Sequence, residues 1–376
     1  MHPILKSSVA LFALSLAACA SAKATNSPQA MALQDALTKT EAGWTSTTSI
    51  ISYYDYQLIY TDGGKAEPQK ISIKDAAKIL SAYDVIFIGE AHRHPGNHLA
   101  QMDLFEALYA LHPNMALSLE QFETDTQPLI DRYAAGEIGT WPLKKMGRAW
   151  DNLTTSYLPL MQFARDRGLP IIAAEAPTDI VTCVGKEGLG YLDRLPTDMR
   201  ATVARDINLQ EGSSYFNKYM KFVRGSSGGH GSTSDTLKTE EEKKQAAERA
   251  NAAFARVMNS YAAQIVRDDT MAERIYDHVT ANSTRKIIHL TGSFHAESFL
   301  GTVERVALRN PSLKIAVVSP LQVTDTTHPS FTADDAGNGT ILLLTHPVEA
   351  EVKDPEMRKQ WLASVMQTRG NRNCPY

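Results

Sequence analysis

Short, uninterrupted runs of apolar residues recur along this chain. The first run covers residues 85–88 and leads directly into Gly89 and Glu90. An apolar run of this length that stops at a glycine is typical of a strand buried on both faces of a sheet. Similar runs predict further strands at residues 115–119, 170–174, 286–291, 315–318 and 340–344.

Between these runs, apolar residues recur with the spacing of a helix that buries one face. After the first run, this face is marked by Leu99, Met102, Phe105, Leu108 and Leu111. Segments 124–135 and 157–167 are also predicted to be helical, and each ends at a glycine. The alternation of strands and helices predicts an α/β fold, in which helices flank a mostly parallel sheet.

The alternation stops between the third and fourth predicted strands. Residues 178–284 show helical segments and no clear strand, and a Gly/Ser-rich stretch at 225–232 interrupts them. We therefore predict an inserted helical subdomain beside the sheet. The predicted organisation is an α/β domain of residues 51–177 and 285–350, a helical subdomain of residues 178–284, and a C-terminal helix and tail of residues 351–376.

The N-terminal residues have the pattern of a targeting segment. Residues 1–18 contain a basic residue and an apolar core that is too short to cross a bilayer. They lead into a motif that resembles the lipobox of bacterial lipoproteins, Leu16-Ala17-Ala18-Cys19. We therefore predict a lipid on Cys19, a polar tether over residues 19–50, and a location in the cell envelope on the periplasmic side of the outer membrane. An ordinary secretory signal cleaved near Ala22 is the alternative.

The charge of the chain is close to balanced. It carries 38 basic and 42 acidic residues, for a formal net charge of −4. Nucleic acids and anionic membrane surfaces attract strongly basic proteins, so neither is predicted as a partner. Beyond the N-terminal segment, the sequence contains no apolar stretch long enough to span a bilayer.

The chain has three cysteines. If Cys19 carries the lipid, Cys183 and Cys374 remain. A periplasmic location permits a disulfide bond between them, which would tie down the tail at residues 369–376. Two unpaired thiols are the alternative, and the sequence leaves both open.

Acidic and histidine side chains follow four of the predicted strands. Glu90 and His92 follow the first strand, Glu120 the second, Glu175 the third and His295 the fourth. Ligands of open α/β sheets bind outside the carboxyl ends of the strands, so these side chains are expected to converge at one rim of the sheet. Both histidines stand three residues after a glycine.

Two kinds of chemistry would use these residues. His92, Glu120, Glu175 and His295 would suit a divalent metal ion, because imidazole binds Zn, Fe, Mn or Co and carboxylates favour hard cations. Glu90, His92, Glu120 and His295 would instead serve as acid and base in a hydrolase. In either case we expect His92, Glu120 and His295 to lie within about 4–7 Å of each other. The simpler alternative is that each glutamate pairs with a helix N-terminus or an arginine, and that each histidine caps a helix.

Further histidines and aromatic residues lie near the predicted rim. His98 begins the helix after the first strand and is expected to face the rim, whereas His94 is expected to be exposed. His289 lies inside a predicted strand and is expected to be a core residue. Tyr157 has a phenol that can ligate ferric haem iron, and Trp150 is close to it in sequence; packing of both rings under a loop is the alternative.

An ordered set of motifs resembles that of ChaN-type haem-binding lipoproteins. The motifs include Gly89-Glu90-Ala91-His92, Leu119-Glu120-Gln121-Phe122, Tyr157-Leu158-Pro159-Leu160, Ala174-Glu175-Ala176-Pro177, Arg267-Asp268-Asp269-Thr270 and Gly292-Ser293-Phe294-His295. Each motif alone is short, and the specificity comes from their order over roughly residues 71–321.

The resemblance implies an α/β domain with a helical subdomain, a lipid anchor in the outer membrane, and a role in haem and iron acquisition. It implies haem at a homodimer interface with a tyrosine as iron ligand, and the best match to that tyrosine is Tyr157. It also implies a TonB-dependent outer-membrane receptor as a partner. Other candidate haem contacts are His92, His98, Trp150 and His295.

The same superfamily resembles erythromycin esterases and Tiki-type metalloproteases, in which paired Gly-x-x-His motifs and a glutamate carry out hydrolysis. The sequence therefore predicts a haem-binding protein, with a metal-dependent esterase or peptidase as the alternative. Whether the protein is an enzyme stays open at this point.

Overall fold

The computed structural model describes residues 37–226, 239–370 and 373–376. Within these ranges the strands are β1 (Leu37–Thr40), β2 (Gly43–Ser46), β3 (Tyr56–Tyr60), β4 (Gln69–Ile71), β5 (Val85–Glu90), β6 (Met115–Glu123), β7 (Ile171–Glu175), β8 (Lys286–Gly292), β9 (Ile315–Gln322), β10 (Ser330–Phe331) and β11 (Ile341–Thr345). The α-helices are α1 (Ile73–Leu80), α2 (Pro95–Leu111), α3 (Gln127–Ala134), α4 (Thr140–Lys145), α5 (Leu158–Asp166), α6 (Thr178–Glu187), α7 (Thr197–Arg200), α8 (Ser214–Ser226), α9 (Glu240–Ala281), α10 (Thr302–Arg309), α11 (Ala333–Ala336) and α12 (Pro355–Gly370).

The main sheet has eight strands in the order β4-β3-β11-β9-β5-β8-β6-β7. The strands from β11 to β7 pair in parallel, and β3 and β4 extend one edge through antiparallel pairings. β5 lies near the centre, between β9 and β8. The predicted α/β fold with a mostly parallel sheet is therefore confirmed.

The core of the sheet follows from the alternation of side chains along its strands. Along β5, Ile86 and Ile88 pack in the cluster that includes α2 and α5, whereas Val85 and Phe87 pack in the cluster that includes α9 and α10. Both faces of β5 are covered, which explains why its sequence is apolar without interruption. The strand continues through Glu90, which is buried at its carboxyl end.

At one edge of the sheet, β3 and β4 form a hairpin. Their connection contains Gly63 and Gly64, whose φ angles of 65° and 80° lie in the left-handed region that favours glycine. Ser72 follows β4, and its side chain accepts a hydrogen bond from the backbone N–H of Asp75 at 3.1 Å. This bond satisfies one of the free N–H groups at the start of α1.

A second, three-stranded sheet lies where the sequence predicts a tether. β2 pairs antiparallel with both β1 and β10. Trp44 stacks on Phe331 with ring centroids 5.5 Å apart, and Ile50 is fully buried in the same cluster. The predicted tether of residues 19–50 thus does not extend over residues 37–50, because a few apolar side chains hold this polar stretch against later parts of the chain.

The helical insertion lies between β7 and β8. It comprises α6 to α9, and no strand occurs among its described residues. The long helix α9 starts with a capping box, in which the Thr239 and Glu242 side chains satisfy each other's backbone N–H groups. Buried residues of α9 begin at Tyr261 and end at Val279. This buried part packs against α6, β7 and β8, so that its polar side chains reach the sheet.

A disulfide bond joins Cys183 of α6 to Cys374 in the C-terminal tail. The sulfur atoms are 2.14 Å apart and the Cα atoms 5.6 Å apart. Cys183 is buried in a cluster with Val184 and Val266. Of the two states that the sequence leaves open, the structure has the bonded one, which ties the tail to the helical insertion.

None of the described helices is long and apolar enough to cross a membrane. The predicted signal of residues 1–18, Cys19 and the first part of the tether lie outside the described residues. Lipidation of Cys19 therefore stays a prediction.

Candidate functional site

The site begins with Glu90, the last residue of β5. Its carboxylate is buried and accepts three hydrogen bonds. Oε1 accepts from the Tyr157 hydroxyl at 2.5 Å and from His92 Nδ1 at 2.9 Å, and Oε2 accepts from the Gln101 amide at 2.7 Å. Three bonds to one buried carboxylate fix its position, as a charge removed from water requires.

Tyr157 lies at the end of a π-helical turn, Leu153–Tyr157, that leads into α5. Its ring is fully buried and packs edge-on against Trp150, at a centroid distance of 5.9 Å. Burial and the neighbouring Glu90 raise the pKa of the Tyr157 phenol far above its ordinary value. Tyr157 is thus packed inside the protein, whereas Trp150 is only partly buried.

His92 lies at the same rim and is bonded to Glu90. Its side chain is 47% exposed, and its ring meets Trp150 edge-on at 4.8 Å. A Cβ at Gly292 would lie only 2.9 Å from His92 Cε1 and Nε2, so the glycine leaves the space that the imidazole occupies. Burial lowers the pKa of His92, but the hydrogen bond to Glu90 and the charge of Glu120 outweigh it and raise the pKa above its ordinary value.

Glu120 supplies the second buried carboxylate of the rim, on β6. Oε2 accepts from Thr291 Oγ1 and from the Gly292 backbone N–H, both at 2.6 Å, and Oε1 accepts from Arg267 Nη2 at 2.8 Å. Burial alone would raise its pKa, but the charges of His295 and Arg267 hold the pKa well below its usual range. Glu120 is therefore an anion in the folded protein.

Arg267 of α9 lies between Glu120 and Glu175. Its Nη2 donates to Glu120. Its Nε donates to Glu175 at 2.8 Å, and Nη2 also donates to Glu175. Against the effect of burial, the two carboxylates raise the pKa of Arg267, which stays a cation. Burial raises the pKa of the Glu175 carboxyl, and Arg267 offsets part of that increase.

This arginine corrects the metal prediction. The sequence predicts a divalent ion shared by His92, Glu120, Glu175 and His295. In the structure, Arg267 supplies the positive charge between the two glutamates. No group of three or more His, Cys, Asp or Glu side chains that could hold a metal ion occurs among the described residues. The simpler alternative, a glutamate paired with an arginine, is the one that the structure shows.

His295 forms a second histidine–carboxylate pair. Its Nδ1 donates to Asp268 Oδ1 at 2.7 Å, and its Nε2 lies 3.8 Å from Glu120 Oε1. Asp268 is fully buried and also accepts from Thr302 and Tyr215, each at 2.7 Å. Burial would raise the pKa of Asp268, but His295 and its hydrogen bond lower it overall.

Glu120 lies near both of the histidines that the sequence places at this rim. His295 Nε2 and Glu120 Oε1 are 3.8 Å apart. His92 Nε2 and Glu120 Oε2 flank Gly292, at 2.9 and 3.8 Å from the point where a Cβ would stand. The rim therefore holds two imidazoles near Glu120, each anchored through Nδ1 by its own carboxylate.

Packing and hydrogen bonds explain the positions of three other histidines. His98 is buried behind the rim, with its ring edge-on to Tyr157 at 5.1 Å and Nδ1 bonded to Gln101 at 3.0 Å. His94 is fully buried rather than exposed, because its Nδ1 accepts from the backbone N–H groups of Gly96 and Asn97 and so caps α2. His289 is the expected core residue, and burial lowers its pKa to about 3.

Sequence reasoning misses the roles of Arg267 and Asp268. Both come from a helix, whereas the sequence pattern directs attention to the ends of strands. The available signal is the run Arg267-Asp268-Asp269 within a helix segment that is rich in apolar residues. Charged residues in a buried helix require partners, and the partners of Arg267 and Asp268 are Glu120, Glu175 and His295 at the rim.

The fold and the rim together define a class, namely α/β proteins whose parallel strands end in a cluster of paired ionisable side chains. A family described as "Haem-binding uptake, Tiki superfamily, ChaN" matches residues 76–306, which include all of these side chains. The match covers more than half of the chain. The chain belongs to this ChaN family.

One solved structure supports this fold. A structure described as cofacial haem binding to ChaN of Campylobacter jejuni aligns with a TM-score of 0.52 and 18% identity, over 78% of this chain and 98% of that one. At this identity the likeness shows the fold alone. An erythromycin esterase mutant in its open conformation aligns with a TM-score of 0.39 and 15% identity, over 82% of this chain and 87% of that one. Among proteins of curated function, none matches the chain.

Proposed function

We propose that this protein binds haem at the rim formed by Glu90, His92, Trp150 and Tyr157, and that it serves haem or iron acquisition in the bacterial cell envelope. The family match is the observation that carries this proposal. The geometry supports it, since His92 presents a half-exposed imidazole beside the flat ring of Trp150. An imidazole and an aromatic surface are what the iron and the porphyrin of a haem use in proteins.

Titration of the purified protein with haemin tests haem binding. We expect a saturable Soret band, and we expect His92→Ala to weaken it. The matched control is His328→Ala, because His328 is 67% exposed on a surface loop and pairs only with Asp325 among the described ion pairs. A spectrum that rises linearly without saturation, or an equal loss in both variants, would rule out a specific site at this rim.

The cell-envelope part of the proposal rests on the lipobox-like motif at Cys19. Lipidation would hold the protein at the outer membrane and bring its rim near a TonB-dependent receptor. Cys19→Ser should abolish the lipid mass and release the protein from the membrane fraction. Recovery of the same lipid mass from Cys19→Ser would show that the anchor lies elsewhere.

A homodimer is the third part of the proposal, since the resemblance implies haem at a dimer interface. Mass measurement in solution, with and without haemin, tests it. We expect twice the mass of one chain when haemin is present. A single-chain mass at every haemin concentration would limit the site to residues of one subunit.

A second candidate function is hydrolysis of an ester or peptide by acid–base catalysis. The observation that favours it is the presence of two carboxylate-anchored histidines near Glu120, namely His92 with Glu90 and His295 with Asp268. Such pairs take up and return protons during hydrolysis. Turnover of model esters should then fall with His295→Ala and persist in the presence of a chelator. No turnover above that of His295→Ala would remove this candidate.

A further inference from the structure

The C-terminal helix α12 is exposed to solvent along its described side chains. Every side chain from Pro355 to Ser364 is exposed, and three of them are large and apolar, namely Met357, Trp361 and Leu362. A helix of 16 residues is only marginally stable in water unless it packs an apolar face against a partner. Since the described part of the chain buries none of these side chains, α12 has an apolar surface that is available to a ligand.

One end of α12 is attached beside the rim. The chain leaves β11 at the carboxyl end of the sheet, where the His346 carbonyl accepts a hydrogen bond from His94 Nε2 at 2.7 Å. A few residues later, Glu351 pairs with Arg93 at 3.3 Å. Because Arg93 directly follows His92, this pair places the start of α12 next to the candidate site.

The other end of α12 is attached on the opposite side of the rim. The disulfide bond joins Cys374 to Cys183 of α6, which begins shortly after β7. Thr178, the first residue of α6, donates to Glu123 at the carboxyl end of β6 at 2.6 Å. The two attachments therefore lie on either side of the strands β5, β8 and β6, whose ends form the rim.

The length of α12 matches the distance across the rim. The strand order places five strand spacings between β11 and β7, which is roughly 24 Å. With 16 residues, α12 extends over about 24 Å. A straight helix of this length can thus connect the two sides of the rim without packing against the strands below it.

We propose that α12 is a strap across the mouth of the rim, and that Met357 and Trp361 cover the outer face of a porphyrin bound there. This inference rests on the proposed haem-binding function, and it adds a second wall to the site. Met357 and Trp361 are four residues apart and therefore lie on the same face of the helix. An indole ring and a thioether both pack well against a flat conjugated ring.

The charges of the strap suit the same ligand. Arg358 follows Met357 directly, and Lys359 bonds to Glu356 at 2.6 Å. This ion pair is exposed, and exposed pairs stabilise a protein only weakly, so Lys359 can exchange its partner. The propionate groups of haem are carboxylates, with which arginine and lysine form charge-assisted hydrogen bonds.

The two attachments differ in strength, which allows the strap to open for a ligand. The side chains of Arg93 and Glu351 are 61% and 63% exposed, so their pair contributes little and opens readily. The disulfide bond is covalent and keeps α12 near the rim. A ligand can therefore enter when the Glu351 end lifts, and it is covered when this end returns.

The first test measures the rate at which haemin leaves the protein for excess apomyoglobin. We expect haemin to leave Trp361→Ala at least about tenfold faster than the intact protein, because a buried aromatic contact is lost. The matched control is Leu308→Ala, since Leu308 is 62% exposed on α10, which leads to the amino end of β9. An unchanged rate in Trp361→Ala would overturn the proposal.

The second test frees one end of the strap. Cys374→Ser removes the disulfide bond and leaves Cys183 in its buried cluster. Haemin should also leave this variant faster. The melting temperatures of Cys374→Ser and Trp361→Ala are measured in parallel, and the exposed position of Trp361 predicts no change for the latter. Trp361→Ala thus decides the proposal even if Cys374→Ser folds poorly.

The third test measures hydrogen–deuterium exchange with and without haemin. Residues 355–364 should exchange more slowly with haemin in the intact protein, and Cys374→Ser should lose this protection. Residues 240–254, which form the exposed part of α9, are the control and should not change. The absence of saturable haemin binding would remove the proposed function and this inference with it. Saturable binding with unchanged exchange over residues 355–364 would leave the function standing and overturn only the strap.

Discussion

At the scale of single residues, Gly292 decides where His92 lies. Its φ of −56° and ψ of 140° are open to any residue, so glycine is not needed there for backbone reasons. It is needed because a Cβ would come within 2.9 Å of the His92 ring. The absence of a side chain at Gly292 is therefore part of the site.

Gly292→Ala should displace His92 while leaving the fold intact. Since the alanine backbone is allowed and only the far end of the imidazole has to move, we expect a nearly unchanged melting temperature and a clear loss of haemin affinity. Gly139→Ala is the matched control, because its Cβ would have no neighbour within 4 Å. Unchanged haemin affinity in Gly292→Ala would show that the position of His92 does not matter for binding.

Arg267 balances two buried carboxylates, so its removal should cost stability. Breaking a buried ion pair typically costs about 3–5 kcal/mol, and we expect the lower end for Arg267→Ala because the side chain is 27% exposed. Arg267→Lys should recover part of the loss. Urea unfolding of both variants at pH 7 measures these differences in the free energy of unfolding.

The loss in Arg267→Ala should also depend on pH. The pKa of Glu120 in the folded protein lies below its ordinary range, so its contribution to stability is complete above that range and is lost as the pH falls from that range toward the lower pKa of the folded protein. Without Arg267, this contribution shrinks. The difference in the free energy of unfolding between the intact protein and Arg267→Ala should therefore be largest near pH 7 and narrow as the pH falls below about 4 toward about 3. A constant difference over this interval would mean that Arg267 acts through packing alone.

The sequence predicts the part of the site that depends on strand ends. Glu90, Glu120 and Glu175 each close an apolar run, and their convergence follows from parallel pairing. What the sequence does not reveal is which groups neutralise these charges. Arg267 reaches the rim from a helix about 150 residues away from Glu120 in sequence, and local patterns carry no information on such a contact.

At the scale of elements, β7 is an edge strand of the parallel sheet, and Gln127 covers part of its free edge. The Gln127 amide donates to the Ile171 carbonyl at 2.9 Å and accepts from the Ala173 N–H at 2.7 Å. One side chain thus replaces the ladder bonds that a neighbouring strand would make. This protects the strand that carries Glu175 from pairing with other chains.

Gln127→Ala should weaken this edge. Loss of two hydrogen bonds to the backbone of β7 should lower the free energy of unfolding by about 1–3 kcal/mol. Amide hydrogen exchange at Ala173 should become faster. Gln245→Ala is the control, because Gln245 lies on the exposed part of α9 and bonds only to Glu241 among the described side chains. Equal exchange at Ala173 in both variants would contradict a role in edge protection.

Elements whose apolar residues follow a clear pattern are predicted well from the sequence. Elements that depend on contacts with distant parts of the chain are not. β5 and β8 match their apolar runs because both of their faces are buried. β1 and β2 are not predicted from the sequence, because both are short and their sheet depends on β10, which lies far along the chain and pairs with β2. The π-helical turn at Leu153–Tyr157 is not predicted either, because its shape depends on the burial of Tyr157 beside Glu90.

At the scale of the whole molecule, the Cys183–Cys374 bond closes a loop with a sequence separation of 191 residues. A cross-link over so long a loop restricts the unfolded chain strongly, and the expected stabilisation is about 4–5 kcal/mol. Unfolding midpoints with and without reductant measure it, and Cys183→Ser should match the reduced protein. Free thiols in the oxidised protein by intact mass would show that the bond does not form in solution.

The parallel sheet, the inserted helices and the rim form one arrangement: β5, β6, β7 and β8 present carboxylates and histidines at their carboxyl ends, and α9 supplies the charges that balance them. If this protein binds haem as we propose, binding should therefore be confined to one end of the sheet.

Hydrogen–deuterium exchange with and without haemin tests this claim most directly. We predict slower exchange in residues 89–98 and 150–157, which hold His92, Trp150 and Tyr157 at the carboxyl ends of the strands. Residues 112–115 and 283–287, at the amino ends of β6 and β8, should exchange at the same rate in both states. Protection at the amino ends, or no protection anywhere at saturating haemin, would contradict the account of this rim as a haem-binding site.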